Sequence, residues 1–134
     1  MSITKTLMLL DKSLERHDEG HWSEPFQNLA GEFSSFNDAG VECETGEFLY
    51  SMVRILKPEN VLETGTHWGV GASYIGMGLV ANGKGHLDTM EFLGENYAQA
   101  KARIERLNLS DYVTCHYGDA RSFEVKPEVR YKMI

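Results

Sequence analysis

The sequence predicts an α/β chain built on a parallel sheet with helices packed against it. Three observations carry this. Short apolar, β-compatible runs alternate with longer segments of helical period, and the connections between them are short. A glycine-rich turn stands where the first strand meets its helix. Strand–helix–strand–helix–strand with short connections implies a parallel sheet with helices packed on it.

The elements follow in order. Residues 3–16 carry Leu7, Leu10 and Leu14 on one helical stripe. Gly20 and Pro25 then break regularity, and residues 18–40 read as an irregular lead-in anchored by Trp22, Phe26, Phe33 and Phe36. Helical period returns at Phe48, Leu49, Met52, Val53 and Leu56, with Thr45 as candidate N-cap and Pro58 as the stop. NVLET (60–64) reads as a strand and residues 70–81 as a helix. After the turn Asn82–Gly83–Lys84–Gly85, GHLDTME (85–91) is the second strand. Residues 94–107 carry the stripe Tyr97, Ala100, Ile104 and Leu107, and Asn108 is placed to end that helix. DYVTCHY (111–117) alternates as a third strand, and VRYKMI (129–134) starts a fourth.

Two inferences about packing follow. Gly76 and Gly78 each cost a helix interior ~1 kcal/mol relative to alanine, which implies close approach of that helix to the sheet. A parallel sheet is buried on both faces, so a chain that stops at Met133–Ile134 reads as the front part of a longer α/β domain. The expected division is residues 1–40 as N-terminal helix and lead-in, and residues 41–134 as the ligand-binding half.

Composition narrows the function. The 134 residues suit one domain, and a formal net charge of −7 argues against binding nucleic acid, which needs clustered Lys and Arg. Lys101, Arg103 and Arg106 do cluster, but Glu95 and Glu105 lie among them, as on a solvated helix face. No apolar run approaches the ~20 residues that span a bilayer, and the N-terminus lacks a signal-peptide cleavage site. Cys43 and Cys115 have no metal-type spacing, which suits reduced thiols and a cytoplasmic setting.

The chemistry lies at the strand ends, where open parallel sheets bind ligands. VLETGTHWGVGA (61–72) has Gly65, Gly69 and Gly71 in a G-x-x-x-G-x-G pattern. The nicotinamide fingerprint, G-x-G-x-x-G, needs its second glycine for the pyrophosphate to touch backbone; His67 stands there instead. Glu63, an acid at the strand end, can attract an ammonium, and amides at a helix N-terminus can receive a carboxylate. Glu91 ends the second strand, where an acid can take both ribose hydroxyls. In YGDAR (117–121), the Asp119 carboxylate can accept an exocyclic amine while the Ala120 amide donates to a ring nitrogen.

The order Glu63-Thr64-Gly65-Thr66-His67-Trp68-Gly69 resembles motif I of class I S-adenosylmethionine-dependent methyltransferases. From about residue 39 onward the chain looks like the branch that includes catechol and caffeoyl-CoA O-methyltransferases. The stretches TGEFLYSMVRILKPENVLETGTHWGVGAS, GHLDTMEFLGENYAQAKARIERLNLSDYVT and YGDARSF carry that resemblance. It implies a Rossmann-like methyltransferase fold whose C-terminal half is missing here, with S-adenosyl-L-methionine as cofactor. By the resemblance, Glu63 binds the methionine ammonium, and Gly65, Thr66, His67, Gly69, Val70 and Gly71 form the loop. Glu91 meets the ribose, Asp119 with Ala120 meets the adenine, and Phe92 counts among the cofactor-binding residues. The segment before the first helix lies over the cofactor, which brings in Ala39, Val41 and Gly46.

Two departures stand out. Relatives often carry a serine where Gly71 stands, so backbone amides or Ser73 would have to hold the methionine carboxylate. His67 and Trp68 are bulky, either lining the methionine pocket or, for Trp68, packing on a helix. In this branch the metal carboxylate and acceptor contacts lie at and beyond the fourth strand, so no metal ligand or catalytic residue carries over. A Mg2+ ion belongs to a full-length enzyme only.

Other candidates are weaker. His17 and His21 have the spacing of a helical metal pair, but Gly20 intervenes and no third ligand is evident. Cys115 and His116 are strand neighbours and point to opposite faces, so Cys115 reads as core. The reading is a methyltransferase acting on a small-molecule acceptor, with a homodimer open to it. The alternatives are a non-catalytic S-adenosylmethionine-binding or interaction module and an NAD(P)-dependent reductase.

Overall fold

The structure, a computed structural model, describes Val41, residues 43–125 and residues 127–132. The expected helix over 3–16, the lead-in with its aromatic anchors, Ala39 and the His17/His21 pair lie outside the described residues, as do Met133 and Ile134.

Among the described residues the element order is α1 (Cys43–Leu56), β1 (Asn60–Thr64), α2 (Val70–Asn82), β2 (His86–Glu91), α3 (Gly94–Arg106) and β3 (Val113–Tyr117), followed by a 3-10 turn at Ala120–Ser122. The three strands form one parallel sheet in the order β1-β2-β3. The expected boundaries therefore hold to within two residues. One core joins all the elements: Val53 of α1, Val61 of β1, Ala72, Ile75 and Leu79 of α2, Leu87 of β2, Ile104 of α3, then Leu109 and Val113. Val61, Leu87 and Val113 lie side by side in register, so this row faces the helices. Burying it supplies the hydrophobic drive for the sheet.

The ends of α1 differ from expectation. Thr45 is not the N-cap, because the helix already begins at Cys43 and Thr45 is its third residue. The apolar stripe is also rotated: Val53 is buried and Leu49 packs on the core, while Phe48 and Leu56 are exposed. Pro58 does follow the stop, after Lys57 turns the chain with φ +46°. At the end of α3, Asn108 adopts φ +56° just beyond the capping Leu107, the left-handed turn that asparagine tolerates.

The two helix glycines serve different neighbours. A Cβ on Gly76 would sit 2.7 Å from Val113 of β3, which is the expected approach to the sheet. A Cβ on Gly78 would sit 2.8 Å from Val53, so that glycine admits α1 rather than the sheet. Gly46 completes this helix contact, since a side chain there would run into the Tyr74 ring. Gly46 therefore belongs to the α1–α2 packing.

Among the described residues the far face of the sheet carries polar groups beside the buried Met90. His86, Asp88 and His116 are partly exposed, and Asp88 accepts from His116 Nε2 (2.7 Å) and from Tyr131 Oη (3.0 Å). The rest of the expected fourth strand, 133–134, lies outside the described residues, and residues 129–132 form no strand. They do run beside β1: the Lys132 amide donates to the Asn60 carbonyl at 3.1 Å, and Asn60 Nδ2 donates to the Arg130 carbonyl. One ladder bond is too little pairing to count as a strand.

Candidate functional site

The site forms where β1 turns into α2. Gly65 and Gly69 take φ of +82° and +81°, left-handed values that side chains with a Cβ resist. The amides of Gly65 and Thr66 both donate to the Met90 carbonyl, which stitches the turn onto β2. Gly69 has a second constraint, because a Cβ there would lie 3.1 Å from the Ala100 backbone of α3. It shapes the loop from behind rather than lining the pocket.

α2 starts on Gly69 with no side-chain cap. The amides of its first turn have no intrahelical acceptor, and the helix dipole makes that end attractive to an anion. The pocket in front of it is lined by Val41, Glu63, Gly65, Thr66, His67, Trp68, Val70 and Gly71. Seven of the residues expected from sequence thus share one concavity. Trp68 satisfies both readings, lining the pocket while its Nε1 donates to Asn96 of α3 at 3.1 Å.

Glu63 lies at the floor. Burial pushes its carboxyl up to about 7, against the opposing effect of a hydrogen bond from Thr89. A Cβ on Gly71 would lie 2.7 Å from Glu63 Oε1 and 3.3 Å from Val41. The absence of a side chain at 71 is therefore what leaves space around that oxygen. Ser73 does not compensate for a missing hydroxyl at 71: it is buried, and its Oγ donates back to the Gly69 carbonyl at 2.6 Å.

Glu91 is buried, and both its oxygens are engaged. Oε2 accepts from the His67 amide at 2.7 Å, and Oε1 accepts from the Leu93 amide at 2.9 Å. It clamps the glycine loop to the end of β2, a structural duty that sequence reasoning did not foresee. Each oxygen keeps one further acceptor position. The His67 amide is consumed by this clamp, which argues further against a pyrophosphate at that point. His67 Nδ1 is buried with no hydrogen-bond partner among the described residues, a polar atom left for a ligand or water in the pocket.

The remaining expected residues lie apart. Phe92 is exposed beyond Glu91. Asp119 lines a second depression with Met90, His116, Tyr117, Gly118, Ser122, Phe123 and Glu124. Its carboxylate caps the 3-10 turn through the Arg121 amide (2.9 Å) and is gripped by the Arg121 guanidinium. Arg121 holds the Asp119 carboxyl down to about 2. Ala120 opens that turn, and the Gly118 amide donates to the Glu91 carbonyl at 2.9 Å, joining this segment to the end of β2. Sequence reasoning missed Thr89, which is buried behind Glu63; an inward-facing threonine two residues before the strand-end acid was the available signal. Among the described residues, no three His, Cys, Asp or Glu side chains gather to hold a metal ion.

A parallel sheet with a glycine turn, strand-end acids and an uncapped helix defines the nucleotide-binding α/β class. Within it, the family model described as O-methyltransferase matches residues 28–126, and the chain belongs to that family. An O-methyltransferase from Bacillus cereus in complex with SAH is similar at 26% identity and TM-score 0.62, over 81% of this chain and 50% of that one. The O-methyltransferase TomG from Streptomyces achromogenes, involved in tomaymycin synthesis and in complex with SAM, shows 21% identity and TM-score 0.61 over 81% and 49%. The SAH-bound Podospora anserina methyltransferase PaMTH1 shows 17% and 0.66 over 91% and 53%. The chain thus spans about half the length of these solved relatives. No curated protein matches it significantly.

Proposed function

We propose that residues 41–134 form the S-adenosylmethionine-binding part of an O-methyltransferase that acts on a small-molecule acceptor. The observation that carries this reading is the pairing of the Glu63 carboxylate with the uncapped N-terminus of α2 across one pocket. A carboxylate and a cluster of free amides, set side by side, suit the ammonium and carboxylate of an amino acid. Three phosphate oxygens would meet the Glu63 charge instead. The solved relatives bound to SAM or SAH support the same ligand.

When bound, S-adenosylmethionine supplies an electrophilic methyl group on a sulfonium. The chain's own residues bind and orient it. Glu63 meets the ammonium, the first-turn amides of α2 meet the carboxylate, and Val41, His67 and Trp68 wall the pocket from water. Glu91 offers its remaining acceptor positions to the ribose, and the segment Asp119–Ala120 meets the adenine. Orientation of this kind is the main lever of a methyl transfer, which needs donor and acceptor in line. Among the described residues no helix is long and apolar enough to cross a membrane, and the free Cys115 suits a cytoplasmic setting.

Calorimetric titration with S-adenosylhomocysteine and, in parallel, with NADH tests the reading. Heat with the first and none with the second is expected. Silence with the first refutes it. A methyl-transfer assay on catechols, with and without magnesium, then separates an enzyme from a binding module.

A further inference from the structure

The strand register places Glu63 opposite Thr89, and Thr89 opposite Cys115, in one row across the sheet. This row is the next one along from Val61–Leu87–Val113 on the same helix-covered face, so it is polar where the core would otherwise continue. Thr89 is fully buried and Thr66 nearly so. Thr89 Oγ1 donates to Glu63 Oε2 at 2.6 Å, and Thr66 Oγ1 lies 2.5 Å from Thr89 Oγ1. A hydroxyl has one proton. Since Thr89 gives its proton to Glu63, Thr66 must be the donor in the second bond. Cys115 Sγ reaches Thr66 Oγ1 at 3.9 Å and extends the chain weakly. The proton order is therefore Cys115 to Thr66 to Thr89 to Glu63, and every donor points toward the carboxylate.

This order leaves the two carboxylate oxygens unlike each other. Oε2 is held from behind, while Oε1 faces the space that Gly71 keeps open. Threonine suits the post, because its branched Cβ restricts χ1 and fixes the hydroxyl. We infer that Thr89, backed by Thr66, is a positioning residue that holds Glu63 Oε2 and presents Oε1 to the ammonium of the ligand.

The inference rests on the cofactor reading above. It adds that Thr89 sets the pH at which Glu63 becomes a competent anion. Burial raises the Glu63 carboxyl, and the Thr89 bond opposes that rise. The other titratable groups around this floor are Glu91 at the end of β2, His67 in the loop, Cys115 on β3 and Lys101 on α3. Glu91 is tied to two amides, and burial pushes the Cys115 thiol up, so it stays neutral as Glu63 ionises.

The test is the affinity for S-adenosylhomocysteine from pH 5.5 to 8.5 by calorimetry, alongside carboxyl NMR titration of Glu63 without ligand. Wild-type affinity is expected to rise with pH and level off above a midpoint near 7. In Thr89→Val the midpoint in both measurements moves up by about one pH unit, and affinity at pH 7 falls roughly fivefold. Thr89→Ser restores both. Glu63→Gln flattens the profile, and adding Thr89→Val to it causes no further pH-dependent loss. Should Thr89→Val fail to fold, Thr66→Val removes the proton donor behind Thr89 and shifts the midpoint the same way by less.

An unmoved midpoint in the valine variants, or a serine variant no better than valine, overturns the inference. Wild-type protein that binds no S-adenosylhomocysteine at any pH overturns the cofactor reading instead. The NMR midpoints still judge the Thr89 relay in that case.

Discussion

Glu91→Ala separates two duties of one side chain. The carboxylate accepts the His67 amide at 2.7 Å and the Leu93 amide at 2.9 Å in a buried setting. Hydrogen bonds to a charged group contribute about 1.5–3 kcal/mol each, and a stranded buried amide costs about 1–3 kcal/mol. Water entering the vacated space recovers part of that, so a loss of ~2–5 kcal/mol is expected in the absence of any ligand. Against a total stability of about 5–15 kcal/mol, this is a large fraction. Urea denaturation reads it as a lower midpoint at unchanged slope. Glu91→Gln keeps one acceptor but turns an amide donor toward the other N–H, and should lose ~2 kcal/mol. Ligand affinity is then measured at a temperature where each variant is folded, and any loss beyond the stability change reports the ribose contact. A Glu91→Ala midpoint indistinguishable from wild type would refute the clamp. Intact affinity in the folded variant would refute the ribose role alone.

Four further outcomes follow from the same geometry. Glu63 binds a proton more tightly folded than unfolded, since its carboxyl rises from 4.5 to about 7. Its stabilising contribution is therefore complete below pH 4.5 and is lost as pH rises through about 7, at up to ~1.4 kcal/mol per pH unit. Glu63→Gln should abolish that slope in urea titrations, and a slope that persists assigns it to another group. Gly85 has φ +96°, and a Cβ there would collide with the Pro58 carbonyl, so Gly85→Ala should destabilise by ~2–4 kcal/mol; a loss under ~0.5 kcal/mol would contradict the packing of that turn. Gly71→Ser introduces a side chain whose Cβ meets Glu63 Oε1 at 2.7 Å. Affinity for S-adenosylhomocysteine should fall roughly tenfold, and a gain would show that the carboxylate moves aside freely. Arg121→Ala frees the exposed Asp119 carboxylate. Stability should stay as in wild type, since an exposed pair is screened by solvent, with affinity retained or improved, whereas a clear loss of affinity would make Arg121 itself a ligand contact.

The fold was largely legible because its signals are local. Period-2 and period-3.6 patterns mark β1 to β3 and α1 to α3 with little help from distant residues. The features that were misread depend on what lies opposite. Thr45 looks like a cap only until the chain is seen to enter the helix at Cys43. Phe48 and Leu56 read as core by spacing, yet Leu49 and Val53 are the residues that meet α2 and the sheet. Gly78 could not reveal from sequence that its neighbour is Val53 on another helix.

The ligand site divides in the same way. The sequence by itself determined the strand-end acids Glu63 and Glu91, the turn Gly65 to Gly71 and the parallel order that brings them to one edge. Residue type and spacing along a strand suffice for that. Only the tertiary structure decided what each acid does there. Register alone places Thr89 against Glu63 and leaves Oε1 beside Gly71. Chain folding brings the His67 amide to one Glu91 oxygen, whereas Leu93 and Arg121 are local partners two residues from Glu91 and Asp119. A carboxylate's charge is written in the sequence, but its protonation and its free lone pairs are set by burial and by donors that arrive from other strands.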